Sequence, residues 1–252
     1  TSWGDLKNRL RSDRRLFAFQ HPGLPNDLLI FVEVALVSGL ANSVDDLLNT
    51  SAPIIDSDQT DPAIFYSISN CQDGLAGVRL GDFLIKKVVT ELSREQPSLK
   101  TFATLSPIPG FRRWLEEKLE QPNFFDLEEE TKSALHTALK NPKWGAETQV
   151  VSQLREALPK LGAHYLLLAK RGSRASDPVA NFHLSNGARI ERIVFGANQQ
   201  DVAQDRALGM MVNYRYEISK IEDRHDAYVH DGIIDAHNDI LALLPQSSEA
   251  RT

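Results

Sequence analysis

Helical periodicity runs from Phe111 to about Lys170, and short apolar runs of the strand type lie on both sides of it. Trp114, Leu115 and Leu119 open the series, followed by Leu135 and Leu139, then Val150, Leu154 and Leu158, and finally Tyr165 to Leu168. A chain built this way is a mixed α+β fold. The strands before and after the block must supply the sheet, and the block itself, about residues 111–170, is a helical insert. The 252 residues suffice for one large domain or two small ones, and no fixed-period repeat points to a solenoid.

Upstream of the block, Leu16-Phe17-Ala18-Phe19 and Leu29 to Leu36 flank a turn rich in Pro, Gly and Asn, which predicts an antiparallel pair. A first helix is expected from about residue 3 to 12, with Ser2 as its cap. A second, capped by Ser43, is expected to run through Leu48. Residues 50–62 are expected to form a surface loop, followed by a strand at Ala63 to Ser69. After a Gly-containing connection, Phe83, Leu84, Val88 and Leu92 mark a helix that Pro97 stops. Lys100 to Leu105 is the next strand, and Ser106 sits where it meets Pro107-Ile108-Pro109-Gly110. Asp177-Pro178 begins an element that ends at Asn186-Gly187. A capped helix and a hairpin turn compete for it, and Pro just inside the start with Gly past the end favours the helix. Strands at Arg189 to Phe195 and Met210 to Tyr216 follow, separated by a polar segment, and two helical stretches close the chain.

Lys and Arg number 28 against 34 Asp and Glu, a net charge of −6, which argues against a broad nucleic-acid surface. The single Cys71 allows no internal disulfide and no cysteine metal cluster, and the histidines show no zinc spacing, so no metal is expected. The apolar run Leu28 to Leu40 carries Glu33 and is too short for the roughly 20 residues of a membrane span. The chain opens on Thr1 without a signal peptide and ends without a peroxisomal tripeptide, so a piece of a longer, cytoplasmic protein is expected.

Few residues stand out as chemical. The strand, turn and helix between Ala63 and Val89 would aim backbone amides at an anion, although any tight connection uses glycines as Gly74, Gly77 and Gly81 do. His183, in Asn181-Phe182-His183-Leu184, has the surroundings of a hydrogen-bonded core residue; imidazole chemistry near neutral pH is what favours it as a catalyst. Two prolines after Ser106 stiffen its position and remove competing N–H donors. Asn213-Tyr214-Arg215-Tyr216 is dense in hydroxyls and charge for a strand.

Several strings together resemble the malonyl-CoA decarboxylase family: Ala63 to Ser69, Gly74 to Lys86, Leu105-Ser106-Pro107-Ile108-Pro109-Gly110-Phe111, Pro178 to Ala188, and Met211 to Tyr216. The resemblance runs in order across nearly the whole chain. It implies a GNAT-like catalytic domain, a mixed and mostly antiparallel sheet flanked by helices and splayed around acyl-CoA. In that family an all-helical domain, expected to lie outside this chain, precedes it and mediates oligomer contacts, so a homo-oligomer is implied for the full-length protein. The stretch Ala76, Gly77, Val78, Arg79, Leu80, Gly81 and Asp82 matches the CoA-binding turn. Ser106 matches the family's proton acceptor and His183 its proton donor, while Ser67, Tyr216, Arg79 and Asn181 match its substrate pocket. Arg79 stands where some relatives carry an acidic residue, and an arginine there could meet a phosphate or the malonyl carboxylate. The implied reaction is decarboxylation of malonyl-CoA to acetyl-CoA and CO2 through a thioester enolate. No cofactor is called for, because the thioester is the electron sink. A GNAT-type acyl-CoA N-acyltransferase and a non-catalytic acyl-CoA-binding module are the alternatives.

Overall fold

The computed structural model describes residues 11–24, 27–49, 51–54, 61–71, 80–121 and 125–245. Residues 3–10 of the expected first helix lie outside them, as do residues 50 and 55–60 of the expected loop, and Arg11-Ser12 is not helical. Strands β1 (Arg14–Gln20) and β2 (Leu28–Leu36) form the expected antiparallel pair. Helix α1 (Val44–Leu48) follows, and the Ser43 hydroxyl accepts from the Asp46 amide as its cap. Next come β3 (Ala63–Asn70), α2 (Leu80–Glu95), β4 (Phe102–Thr104) and β5 (Ser106–Pro107). The helical block comprises α3 (Phe111–Leu119), α4 (Glu129–Lys140) and α5 (Thr148–Leu168). A small hairpin of β6 (Lys170–Arg171) and β7 (Arg174–Ala175) leads into α6 (Pro178–Ser185) and β8 (Arg189–Val194).

The polar segment before the last strand is not a plain connection. It contains α7 (Asp201–Ala207), which ends on Leu208 in the left-handed region, before β9 (Met211–Tyr216). Seven residues without an apolar stripe give little periodic signal, so the sequence reading missed it. Helices α8 (Ile221–Asp231) and α9 (Asn238–Leu241) close the described chain.

Among the described residues the sheet runs β1-β2-β3-β4-β9, with β5 continuing along the same edge of β9 as β4, and β8 on its other edge. Every pairing is antiparallel except that of β3 with β4. The sheet is therefore mixed and mostly antiparallel, with helices against it, as expected. That parallel pair begins where the Asp61 carboxylate accepts from the Lys100 and Thr101 amides, at 3.1 and 2.8 Å. It then holds for three residues, Ala63 to Phe65 against Phe102 to Thr104, and the strands diverge.

Leu84, Ile85, Val88, Val89 and Leu92 of α2 recur at helical spacing and are buried in the principal core with Val32, Val34 and Phe65 of the sheet. Leu154, Leu158 and Leu161 of α5 join that same core, so the insert is welded to the sheet. Gly187 ends α6 at φ +76°, where a Cβ would lie 2.1 Å from the Ile221 carbonyl oxygen. Both backbone conformation and space therefore demand glycine. Gly187→Ala should lower the unfolding free energy by at least about 2 kcal/mol, measured by urea titration.

Candidate active site

The divergence of β3 from β4 opens a cavity of about 320 Å³. Phe65, Tyr66, Ser67 and Ile68 form one wall, Leu105, Ser106 and Pro107 the other, and Val179, Phe182 and His183 of α6 close it. On the first wall the β2–β3 register slips: Glu33 pairs with Ser67 and Val34 with Phe65, which leaves Tyr66 as the extra residue of a bulge. The bulge turns β3 at the point where it leaves β4.

On the second wall, the backbone ladder to β9 lapses at Thr104 and Leu105 and side chains replace it. The Leu105 amide donates to Phe65 of β3 at 3.1 Å. The Asn213 Nδ2 donates to the Thr104 carbonyl at 2.8 Å, and the Tyr214 amide to Thr104 Oγ1 at 3.2 Å. Arg192 fixes Asn213 by donating to its Oδ1 at 3.0 Å, and also donates to the Leu40 and Ala41 carbonyls. The Leu105 amide, the Thr104 carbonyl and the Tyr214 amide are thus paired at this break.

Helix α6 brings in His183. Asp177 caps it, Oδ1 accepting from the Val179 and Ala180 amides at 2.9 and 3.0 Å, with Pro178 in the first turn. The other oxygen, Oδ2, accepts from the Gly110 amide at 3.1 Å, so one carboxylate ties the segment after Ser106 to the helix carrying His183. A Cβ on Gly110 would fall 2.2 Å from the Tyr165 hydroxyl, which explains the glycine of the Ser-Pro-Ile-Pro-Gly string by close approach. Burial raises the Asp177 pKa, and the three backbone amides oppose that shift.

Ser106 Oγ lies 2.9 Å from His183 Nε2 and 2.8 Å from Thr104 Oγ1, and His183 Nδ1 lies 2.8 Å from the Tyr216 hydroxyl. Tyr214 stacks on the imidazole at 4.4 Å between centroids, and Phe182 meets its edge at 5.0 Å. Of the residues predicted from sequence, the fold joins Ser67, Ser106 and His183 around one cavity. Tyr216 is not on the cavity wall; fully buried, it stands behind His183. Asn181 is turned away, its Oδ1 accepting from the Tyr228 hydroxyl at 2.9 Å. Ala76, Gly77, Val78 and Arg79 of the predicted CoA turn lie outside the described residues, whereas Leu80, Gly81 and Asp82 form the first turn of α2. Thr104, Val179 and Phe182 were not foreseen. Thr104 carries no motif, but its place two residues before Ser106 on a strand puts both side chains on one face.

The expectation of a near-neutral imidazole is overturned. Burial drives the His183 pKa down to about 3, because the cation would lose its hydration with no carboxylate among its hydrogen-bond partners. The ring is therefore neutral throughout the physiological range.

A buried serine–histidine pair on the wall of a cleft between splayed strands defines an α+β domain with a cavity of small-ligand size beside a hydrogen-bonded imidazole. Family comparison then places it. The family described as malonyl-CoA decarboxylase C-terminal domain matches residues 1–252, and the chain belongs to that family. It is 36% identical over 264 residues to "Malonyl-CoA decarboxylase, mitochondrial" of Anser anser anser, covering 97% of this chain and 52% of the relative. The Rattus norvegicus protein of the same name is 35% identical with 97% and 54% covered. The chain thus spans about half the length of the curated relatives it matches, and both are named for a compartment other than the expected cytoplasm. Among solved structures, the malonyl-CoA decarboxylase of Agrobacterium vitis aligns with TM-score 0.91 at 41% identity, over 98% of this chain and 61% of that one. That of Rhodopseudomonas palustris aligns with TM-score 0.89 at 40% identity, over 97% and 56%.

The depressed His183 pKa has a definite linkage sign. The unfolded chain takes up the proton near pH 6.5 and the folded one only near 3, so this contribution is complete above about 6.5 and lost as pH falls through that window. The unfolding free energy, measured by urea titration between pH 7 and 4, should fall more steeply than in His183→Asn, by up to one proton's worth of slope.

Proposed function

We propose that this domain decarboxylates malonyl-CoA to acetyl-CoA and CO2, with Ser106 and His183 as the reacting pair. The observation that carries the proposal is their buried 2.9 Å contact on the wall of the cleft between β3 and β5, in a member of this family. The C2–carboxylate bond breaks, its electron pair enters the thioester carbonyl as an enolate, CO2 departs, and a proton is added at C2. Hydroxyls of Ser106 and Ser67 can hold the carboxylate out of the carbonyl plane without the ground-state stabilisation that a cation would give. A dry cleft favours the spread charge of the enolate over the localised charge of the carboxylate. The thioester itself accepts the electrons, so the proposal calls for no cofactor. The partners are malonyl-CoA and acetyl-CoA.

Because His183 is neutral, it serves as a relay. Nε2 delivers its proton to C2 while Nδ1 takes one from Tyr216, so that no imidazolium forms and the negative charge left by the departed carboxylate rests on the Tyr216 oxygen until a proton from solvent replaces the one consumed. The same low basicity speaks against an N-acyltransferase, whose amine acceptor arrives as an ammonium and needs a base to deprotonate it.

Two substitutions test the proposal by CO2 release from malonyl-CoA. His183→Asn should lower kcat at least about 100-fold with little change in CoA affinity, the usual scale for a proton-transfer residue. Tyr216→Phe should fall between wild type and His183→Asn, because the ring keeps its place and loses its proton source. Undiminished turnover in His183→Asn would end the assignment, and release of free CoA in the presence of an amine would favour acyl transfer.

A further inference from the structure

Helix α6 carries His183, and the Asp177 cap fixes its start. A helix leaves its last four carbonyls to be satisfied from outside, and the chain just beyond α6 meets three of them. The Phe182 carbonyl accepts from Asn186 Nδ2 at 2.8 Å, that of His183 from the Asn186 and Ala188 amides at 3.0 and 3.1 Å, and that of Leu184 from the Gly187 amide at 3.0 Å. The fourth is met by a separate element. His225 of α8 places Nδ1 2.5 Å from the Ser185 carbonyl, and because a carbonyl can only accept, Nδ1 donates.

Tyr228 of the same helix holds α6 nearer its start. The Ala175 amide donates to the Tyr228 hydroxyl at 2.9 Å, and that hydroxyl donates to Asn181 Oδ1 at 2.9 Å, so one buried phenol joins the hairpin before α6 to the helix itself. Ile221, whose carbonyl oxygen Gly187 approaches too closely for any Cβ, stands with His225 and Tyr228 at i, i+4 and i+7, on one stripe of α8. Asn181 lies two residues before His183, about 200° around a helix of 3.6 residues per turn, so Tyr228 grips the side of α6 away from the cavity. The contacts along that stripe oppose any roll of α6 about its axis. A roll would carry the His183 ring along the longest arc, since its tip lies farthest from the axis. Helix α8 is itself braced by Arg224, which pairs with Asp235 at 2.5 Å and with Glu217.

We infer that α8 is the element that aims His183 at Ser106, with His225 and Tyr228 as positioning residues acting through the Ser185 carbonyl and Asn181. Asn181 thereby serves the site from behind and touches no substrate.

This inference rests on the proposed decarboxylation for its kinetic readout, and the setting of the ring can be followed without it. Tyr228→Phe and Asn181→Leu should each lower kcat for malonyl-CoA about tenfold with KM nearly unchanged, the scale of a small misplacement of a reacting group. Combined, they should lose no more than either alone, because both break the same bond. His225→Ala should behave like them, and His225→Asn, whose side-chain amide can supply the lost N–H, should recover most of the loss. In each impaired variant the His183 ring protons, which lie against Tyr214 at 4.4 Å between centroids, should shift in the NMR spectrum. Additive losses, or a raised KM in Asn181→Leu, would return Asn181 to the substrate and overturn the inference. Full kcat in Tyr228→Phe, or a lowered kcat with the His183 ring signals unmoved, overturns it equally. Should His225→Ala fail to fold, the Tyr228 and Asn181 variants decide. Absence of decarboxylation in the wild type would refute the proposed function, and the ring signals of Tyr228→Phe would then decide this inference alone.

Discussion

The site exists because two neighbouring parallel strands stay together for only three residues. Parallel neighbours normally share a ladder along their length, and here β3 and β4 part after Phe65 and Thr104. Parting leaves backbone polar groups to be satisfied, and the chain meets that demand locally. The Tyr66 bulge bends one strand, while Asn213 and the Thr104 hydroxyl replace ladder bonds on the other. The cavity is therefore a consequence of hydrogen-bond accounting in the sheet. Its walls are strand edges rather than flexible loops.

Into that opening Asp177 fastens the third wall. By capping α6 with one oxygen and holding the Gly110 amide with the other, it fixes where the helix starts relative to the segment that follows Ser106. Burial at this junction strips water from His183 and holds its pKa near 3. The neutral imidazole is surrounded by hydroxyls, those of Ser106 and Tyr216, rather than by a carboxylate.

Much of this was legible in the sequence, for reasons that differ by element. Strands such as Leu28–Leu36 and helices such as α2 and α5 announce themselves by apolar spacing, and α6 by its Asp-Pro start and Gly stop. Helix α7 was lost because seven residues whose buried positions are Gln204 and Ala207 have no apolar stripe to display. Ser106 and His183 were found through strings that resemble a family. Their mutual distance, and the membership of Ser67 in the same wall, required the fold. Thr104 had only its place two residues before Ser106 to signal it, and the retreat of Tyr216 behind the ring could not be read, because alternation along a strand does not say which face meets α6. Asn181 sits on the same helix as His183, two residues away, and that spacing alone turns it from the cleft toward Tyr228. The low basicity of His183 likewise follows from three-dimensional burial, which a histidine between Phe182 and Leu184 only hints at.

Ser106 and His183 are separated by 77 residues of chain, and the Asp177–Gly110 tie spans 67. The intervening helices can gain their backbone order early, since their contacts are local, whereas the pair meets only when the insert has docked and β9 has closed against β4. Secondary structure can therefore form ahead of the cleft, whose completion marks the last long-range closure of the polypeptide rather than its collapse.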